Sequence, residues 1–147
     1  MFRSRFVTIA VSILVLAPAV AHAEVWLLTY PPLAANTTTP NPSAPFKDWT
    51  VWFVMQTQSA CEEQKALWHM VVRARDDESI RAAARRAVFA RGIPPPSANL
   101  DVLEAQAQGW VRDTGAKIRG DQGVMNQIMV AQCISSEDQR LAPKPAN

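Results

Sequence analysis

The segment Trp49–Trp68 constrains the fold most strongly, because it joins a strand pattern directly to a helix start that carries a cysteine. Its first part, Trp49–Met55, is a run of β-branched and aromatic residues, which suit a pleated, half-buried strand. Ser59 and Glu62 then have the spacing of a capping box, in which each side chain binds a free backbone N–H group at a helix N-terminus. The pattern predicts a helix from residue 60 with Cys61 in its first turn.

Residues 1–23 have the pattern of an export signal. Arg3 and Arg5 precede an apolar run over residues 6–17, and Ala21-His22-Ala23 matches the A-x-A cleavage motif. The run is about a dozen residues, whereas a spanning helix needs roughly 18 to 20. We therefore predict cleavage after Ala23 and a soluble mature chain, without a transmembrane segment, in the periplasm or secreted. An uncleaved N-terminal anchor is the alternative.

Cys61 and Cys133 are the only cysteines in the sequence. In an exported chain such a pair most simply forms a disulfide. The alternative is a redox-active or metal-binding thiol pair. A C-x-x-C spacing and a neighbouring histidine, which would favour that alternative, are both missing from the sequence.

The charge balance gives no sign of a nucleic-acid partner. The whole chain has 15 Lys and Arg against 13 Asp and Glu, and removal of Arg3 and Arg5 with the signal leaves 13 of each. A neutral mature chain creates no overall positive field for nucleic acid or for an anionic membrane. We expect neither as a partner.

Proline clusters divide the mature chain into a few elements. An apolar strand over residues 24–30 ends at Pro31-Pro32, and the strand from Thr50 leads into helical periodicity over residues 60–91. An acidic interruption at residues 76–78 leaves open whether 60–91 is one helix or two. A further helix is predicted from Asn99, and a final strand over residues 124–134.

Three strands with two or three helices predict an α+β fold: a small three-stranded sheet with the helices packed on one face and one disulfide. We expect a single domain over residues 24–141 and a flexible tail over 142–147. A Cys61–Cys133 disulfide would bring the last strand beside the strand at Thr50.

Both ends of the mature chain resemble a group of small exported bacterial proteins. The matching features are a strand that opens with Trp26 and ends in Pro31-Pro32, a Trp-rich strand before the helix with Cys61, and the ending Cys133–Leu141. Members of that group usually end in Cys-hydrophobic-x-x-Asp-Asp-Pro-Arg-Leu, so Glu137 and Gln139 depart from the pattern. The match covers roughly residues 24–74 and 124–141. It implies export, the disulfide and a small size, and it assigns no catalytic residue.

No catalytic or metal-binding constellation emerges from the sequence. His69 is the only histidine after the predicted cleavage site, which is too few nitrogen ligands for a zinc site once the cysteines are oxidised. Nucleophile-elbow, phosphate-loop and dinucleotide motifs are missing as well. We therefore predict no enzymatic activity, no cofactor and no metal. Glu137 and Asp138 offer a weak cation site, and pairing of Asp138 with Arg140 is the better interpretation.

The most basic part of the chain lies in the middle helices. It carries Arg73, Arg75, Arg81, Arg85, Arg86 and Arg91. Helical spacing places Arg81 and Arg85 on one line, and Trp110 lies on the periodic apolar face of the next helix. These three residues are a possible interaction surface, although a solvated arginine face and a core tryptophan are the simpler interpretation.

The sequence favours a non-catalytic binding or envelope-associated interaction module, whose partner is another envelope or secreted protein. One alternative is a small secreted enzyme that uses His69 with carboxylates brought close by folding. Another is a secreted protein inhibitor that inserts one of the proline-rich loops, 31–45 or 92–98, into a target.

Overall fold

The computed structural model describes residues 24–90 and 92–141, so the predicted signal peptide and the predicted tail lie outside the described residues. The chain forms an α+β fold with a three-stranded sheet, as predicted. Its elements are β1 (Trp26–Tyr30), β2 (Thr50–Met55), α1 (Gln58–Arg73), α2 (Asp77–Phe89), α3 (Leu100–Gly120), α4 (Gln122–Met129) and β3 (Gln132–Ser135), with 3₁₀ turns at Phe46–Asp48 and Gln139–Leu141.

The sheet is antiparallel with the order β2-β1-β3. The prediction that the last strand lies beside β2 is therefore wrong, because β1 separates them. Leu28 and Thr29 are adjacent in β1 and point to opposite faces of the sheet, yet both are buried. A strand covered on both faces belongs in the centre of a sheet, which explains the nearly continuous apolar sequence of β1.

A β-bulge in β2 turns two neighbouring aromatic residues toward the helices. Leu28 pairs with Phe53 and Thr29 pairs with Val51, so Trp52 is an extra residue in the strand. In a regular strand Trp52 and Phe53 would face opposite sides, but a bulge allows both to face the same side. Both contact Trp68 of α1, with ring centroids 4.4 and 6.2 Å from the Trp68 centroid.

Helix α1 begins two residues earlier than predicted, and the expected capping box does not form. Thr57 is the N-cap residue, and its hydroxyl accepts a hydrogen bond of 3.1 Å from the backbone N–H of Ala60. The Ser59 hydroxyl lies inside the first turn and bonds to the Glu63 carboxylate. Thr57 satisfies a free N–H group of the first turn from an extended backbone, which is the geometry of a helix N-cap.

Residues 58–89 form two helices, which settles the question left open by the sequence. Asp76 caps α2 by accepting a 2.8 Å hydrogen bond from the backbone N–H of Ser79, and the Ser79 hydroxyl accepts one from the Asp76 backbone N–H. The hydrogen bonds from Ser79 lower the pKa of the Asp76 carboxyl. The acidic interruption is therefore a helix start.

The predicted final strand over 124–134 is wrong in its first half. Residues 122–129 form α4, and only Gln132–Ser135 form β3, so the described chain has four α-helices instead of two or three. Val124 and Ile128 are four residues apart, a spacing that fits both a strand face and a helix face. Asp121 distinguishes the two, because its carboxylate accepts a 3.1 Å hydrogen bond from the Val124 backbone N–H and caps α4.

The predicted disulfide joins Cys61 to Cys133, with their Cα atoms 5.9 Å apart. It ties the first turn of α1 to β3 across the face of the sheet that the helices cover. Cys61 is fully buried there with Leu28. A second part of the core lies among α1, α2 and α3, around Val71, Ala83 and Val111. Within the parts of the chain that the structure describes, no helix is long and apolar enough to cross a membrane.

Candidate functional site

A groove of about 580 Å³ opens where α1, α2 and α3 meet strand β2. We call it the apolar groove. Its volume lies within the range of roughly 300 to 1,000 Å³ that is typical of small-molecule sites. Its lining residues are Phe53, Gln64, Leu67, Trp68, Ala87, Val88, Ala90, Leu103, Gln106, Ala107 and Trp110.

Trp68 is the centre of the aromatic wall of the groove. Trp52 lies behind it with ring centroids 4.4 Å apart, and Trp110 approaches it edge-on with centroids 5.6 Å apart and an interplanar angle of 68°. These separations are typical of favourable aromatic pairs. The Trp68 Nε1 atom is buried and has no hydrogen-bond partner in the described structure. Packing therefore holds the ring in place without help from its polar atom.

The polar groups of the groove are uncharged. Besides the indole N–H groups of Trp68 and Trp110, the polar side chains of the described lining are Gln64 of α1 and Gln106 of α3, and that lining contains no ionisable group. A primary amide both donates and accepts hydrogen bonds. The two glutamines can therefore orient a neutral ligand, whereas an ion would enter the groove without a counter-charge.

The apolar surface continues beyond the groove. Leu100, Leu103, Ala107 and Trp110 follow one face of α3, as the sequence periodicity predicts, and all but Leu100 line the groove. Leu100 is one turn further along and exposed, and Trp110 is 37% exposed at the mouth of the groove. Phe89, also exposed, is the last residue of α2 and lies in the sequence between the lining residues Val88 and Ala90.

Two ion pairs connect the helices that form the groove. Arg85 of α2 binds Glu104 of α3, and Arg112 of α3 binds Asp77 of α2, each with an N–O distance of 3.1 Å. All four side chains are at least partly exposed, so each pair is worth no more than about 1 kcal/mol. They act together with the buried apolar contacts of α2 and α3.

The structure separates the three residues predicted as an interaction surface. Trp110 lines the apolar groove, whereas Arg81 and Arg85 do not. The Arg81 Nε donates to the backbone oxygen of Asp77, and the Arg85 Nε donates to Glu104. Arg85 therefore has a structural contact, and Trp110 is the one of the three that a groove ligand would touch.

His69 has a structural contact as well. Its Nε2 lies 3.1 Å from the carbonyl oxygen of Ile128, and since a carbonyl only accepts, Nε2 is the donor. His69 also borders a second cavity, and the described lining of that cavity contains no carboxylate. The expected pairing of His69 with carboxylates is not seen there. No group of three or more metal-ligating side chains occurs among residues 24–90 and 92–141.

Asp138 pairs with Arg140 at the C-terminal turn, as the sequence analysis favoured. The Arg140 Nη2 and Nε donate to the Asp138 carboxylate at 2.6 and 2.9 Å, which holds the pKa of Asp138 at about 2. The same guanidinium lies 4.5 Å from the centroid of the Phe46 ring, and Phe46 stacks on Trp49. The turn at Gln139–Leu141 is therefore fastened to the loop before β2, and Asp138 is committed to this contact.

One wall of the groove follows from the sequence, whereas the assembly of the groove from four elements does not. The α3 stripe with Trp110 was visible as a period of three and four residues. Phe53 lies in a predicted strand, but Trp52, which supports Trp68 from behind, faces the helices only because of the bulge, and the bulge has no marker such as glycine in the sequence. Comparisons of the chain with protein-family models, with curated proteins and with solved structures gave no match.

Proposed function

We propose that this chain is an exported, non-catalytic binding protein that holds an uncharged, largely apolar small molecule in the apolar groove. The observation that carries the proposal is the lining: three aromatic rings and several aliphatic side chains surround about 580 Å³, and the described residues add two amides and no charge. A ligand gains from burying apolar area against this wall, and Gln64 and Gln106 supply directional hydrogen bonds.

The proposal is tested with N-phenyl-1-naphthylamine, an uncharged fluorescent probe of apolar sites. The dye should bind the folded protein with a blue-shifted emission, and its affinity should fall about tenfold in Trp110→Ala, because the mutation removes a wall of the groove. Val102→Ala is the matched control, since Val102 lies on α3, is 49% exposed and does not line the groove. Equal affinities of Trp110→Ala and Val102→Ala would refute the assignment of the groove.

A second pair of variants tests the requirement for a neutral ligand. Gln106→Glu places a carboxylate in the groove and should weaken dye binding about tenfold, because the charge loses hydration when the dye covers it. Gln108→Glu makes the same chemical change two residues away, outside the lining, and should leave the affinity unchanged. A dye that binds all four variants equally well does not occupy this groove.

A second candidate function is docking of an apolar segment of another envelope or secreted protein. It is favoured by the exposed side chains of Phe89 and Leu100, which extend the apolar surface past the groove. The double variant Phe89→Ser/Leu100→Ser leaves the groove lining intact. It should spare dye binding, and it should weaken a protein complex that is cross-linked in the native host if docking is the function.

Export is the remaining part of the proposal and has its own test. The intact mass of the protein recovered from its host should correspond to a chain that begins at Glu24 and is two hydrogens lighter than the reduced form. A retained N-terminus would contradict cleavage after Ala23. Free thiols in the native protein would contradict an oxidising compartment.

A further inference from the structure

The second cavity, of about 450 Å³, lies between α1 and α2. Its α1 residues include His69, Met70 and Arg73, whereas the apolar groove uses Gln64, Leu67 and Trp68 of the same helix. At 3.6 residues per turn these two sets face opposite sides of α1. The second cavity is therefore a separate site with its own lining, and we call it the arginine cavity.

Arg73 of α1 and Arg86 of α2 give this cavity its charge. Among the described residues neither guanidinium forms an ion pair with a carboxylate, in contrast to Arg85, Arg112 and Arg140. The described lining contains no Asp or Glu. Two guanidinium groups therefore border one concave surface, and the described lining supplies no carboxylate to balance them. This arrangement suits an oxyanion.

The other polar side chains of the arginine cavity are Ser79 and His69. The Ser79 hydroxyl donates to the backbone oxygen of Asp76 and accepts from the backbone N–H groups of Arg75 and Asp76. The His69 Nε2 donates to the Ile128 carbonyl. Because a guanidinium is always protonated, the two arginines are the groups that supply positive charge to an anion.

The remaining lining is apolar and includes Met70 and Ala82. The volume is more than ten times the roughly 30 Å³ that one water molecule occupies, so the cavity has room for more than an inorganic ion. A ligand that fills it combines an anionic head with an apolar body.

We propose that the arginine cavity binds a small organic oxyanion, with a phosphate or carboxylate group between Arg73 and Arg86 and an apolar body against Met70 and Ala82. A doubly charged phosphate monoester matches two guanidinium groups better than a singly charged carboxylate does. The site is independent of the apolar groove and of the ligand proposed for it.

Isothermal titration calorimetry with phenyl phosphate tests the proposal, with benzoate, inorganic phosphate and benzyl alcohol as comparison ligands. Phenyl phosphate should bind most tightly. Benzoate should be weaker because it has one charge, inorganic phosphate weaker because it has no apolar body, and benzyl alcohol should not bind. Binding of benzyl alcohol as tight as that of phenyl phosphate, or no binding of any anion, would overturn the proposal.

Two variants and a matched control locate the binding. Arg73→Gln and Arg86→Gln should each weaken phenyl phosphate about tenfold, which is the loss of one charge-assisted contact. Arg81→Gln removes the same charge from α2 outside the cavity and should change the affinity less than twofold. If Arg81→Gln weakens binding as much as Arg86→Gln, the anion responds to the general field of α2, and the site is refuted.

Two controls show whether a loss of phenyl phosphate binding reflects misfolding or binding in the apolar groove. Arg73 and Arg86 are exposed, so both variants should retain the thermal unfolding midpoint of the parent. Trp110→Ala should leave phenyl phosphate binding unchanged, because Trp110 does not line the arginine cavity. A loss of phenyl phosphate binding in Trp110→Ala would place the anion in the apolar groove and overturn the proposal.

Discussion

Gly115→Ala should destabilise the protein although it improves the helix propensity of α3. Gly115 is buried at the crossing of α3 and α1, and an added Cβ would lie 2.8 Å from the carbonyl oxygen of Val71 and 2.8 Å from Nη1 of Arg119. Real Cβ atoms essentially never approach other heavy atoms this closely. Because the Val71 oxygen belongs to the backbone of α1, the steric clash can be relieved only if α1 and α3 move apart.

Three contributions set the change in the free energy of unfolding of Gly115→Ala, one stabilising and two destabilising. Removal of glycine from a helix interior stabilises by roughly 0.5 to 1 kcal/mol. Overpacking costs about 1 to 3 kcal/mol. Displacement of Arg119 adds to the cost, since its Nη1 donates to the carbonyl oxygens of Val72 and Ala74 at 3.3 and 2.9 Å and thereby satisfies the C-terminal end of α1. We expect a net loss of about 1 to 3 kcal/mol.

Gly109→Ala is the matched control, because Gly109 lies in the same helix and its added Cβ would meet nothing within 4 Å. It should stabilise by up to about 1 kcal/mol. The two variants are compared by urea unfolding at equilibrium, and thermal midpoints should move in opposite directions by about 4 °C per kcal/mol. A Gly115→Ala variant as stable as Gly109→Ala would show that α1 and α3 do not approach this closely.

Three further predictions concern the termini of elements and the cross-link. Thr57→Ala should destabilise by roughly 0.5 to 2 kcal/mol, because Thr57 caps α1, whereas Ser59→Ala should be nearly neutral in the same urea experiment. The carboxyl carbon of Asp138 should titrate in NMR with a pKa of about 2 and should return toward 3.8 in Arg140→Gln. Since folding lowers this pKa, the contribution of Asp138 to stability is complete above pH 4 and is lost as the pH falls toward 2. The double variant Cys61→Ala/Cys133→Ala should lose about 4 kcal/mol, the entropy of closing a loop between cysteines 72 residues apart, and a loss below about 1 kcal/mol would contradict that account.

The sequence predicted those elements that local patterns decide. β1, β2, the helical stripe of α3 and the cysteine pair depend on alternation, periodicity and composition, which are properties of short segments. The predicted position of the last strand beside β2 is wrong because strand order is a property of the whole sheet. β1 takes the central position by pairing with β3, which lies more than 100 residues later in the chain. The predicted strand over residues 124–134 is wrong where α4 forms, because the four-residue spacing of Val124 and Ile128 fits both a strand and a helix. Only the N-cap at Asp121 distinguishes the two structures.

The groove shows the same division between local and global information. The stripe with Leu103, Ala107 and Trp110 was read directly from the sequence. Its facing wall requires the packing of α1 against the sheet and the bulge that turns Trp52 toward Trp68, neither of which a single segment encodes. The arginine cavity was equally hidden, because Arg73 and Arg86 line one cavity only when α2 packs against α1 after the break at residues 74–76.

The break between α1 and α2 at residues 74–76 contributes to both proposed sites. The cap formed by Asp76 and Ser79 starts α2 soon after α1 ends, and the two helices pack on each other and on α3. The disulfide fixes the other end of α1 against β3, and Trp68, two turns after Cys61, is thereby held against Trp52. Leu28 and Cys61 are also fully buried at this contact, so packing holds α1 in position along with the cross-link. Because a disulfide acts mainly on the unfolded chain, its loss should reduce stability while the folded fraction keeps both cavities.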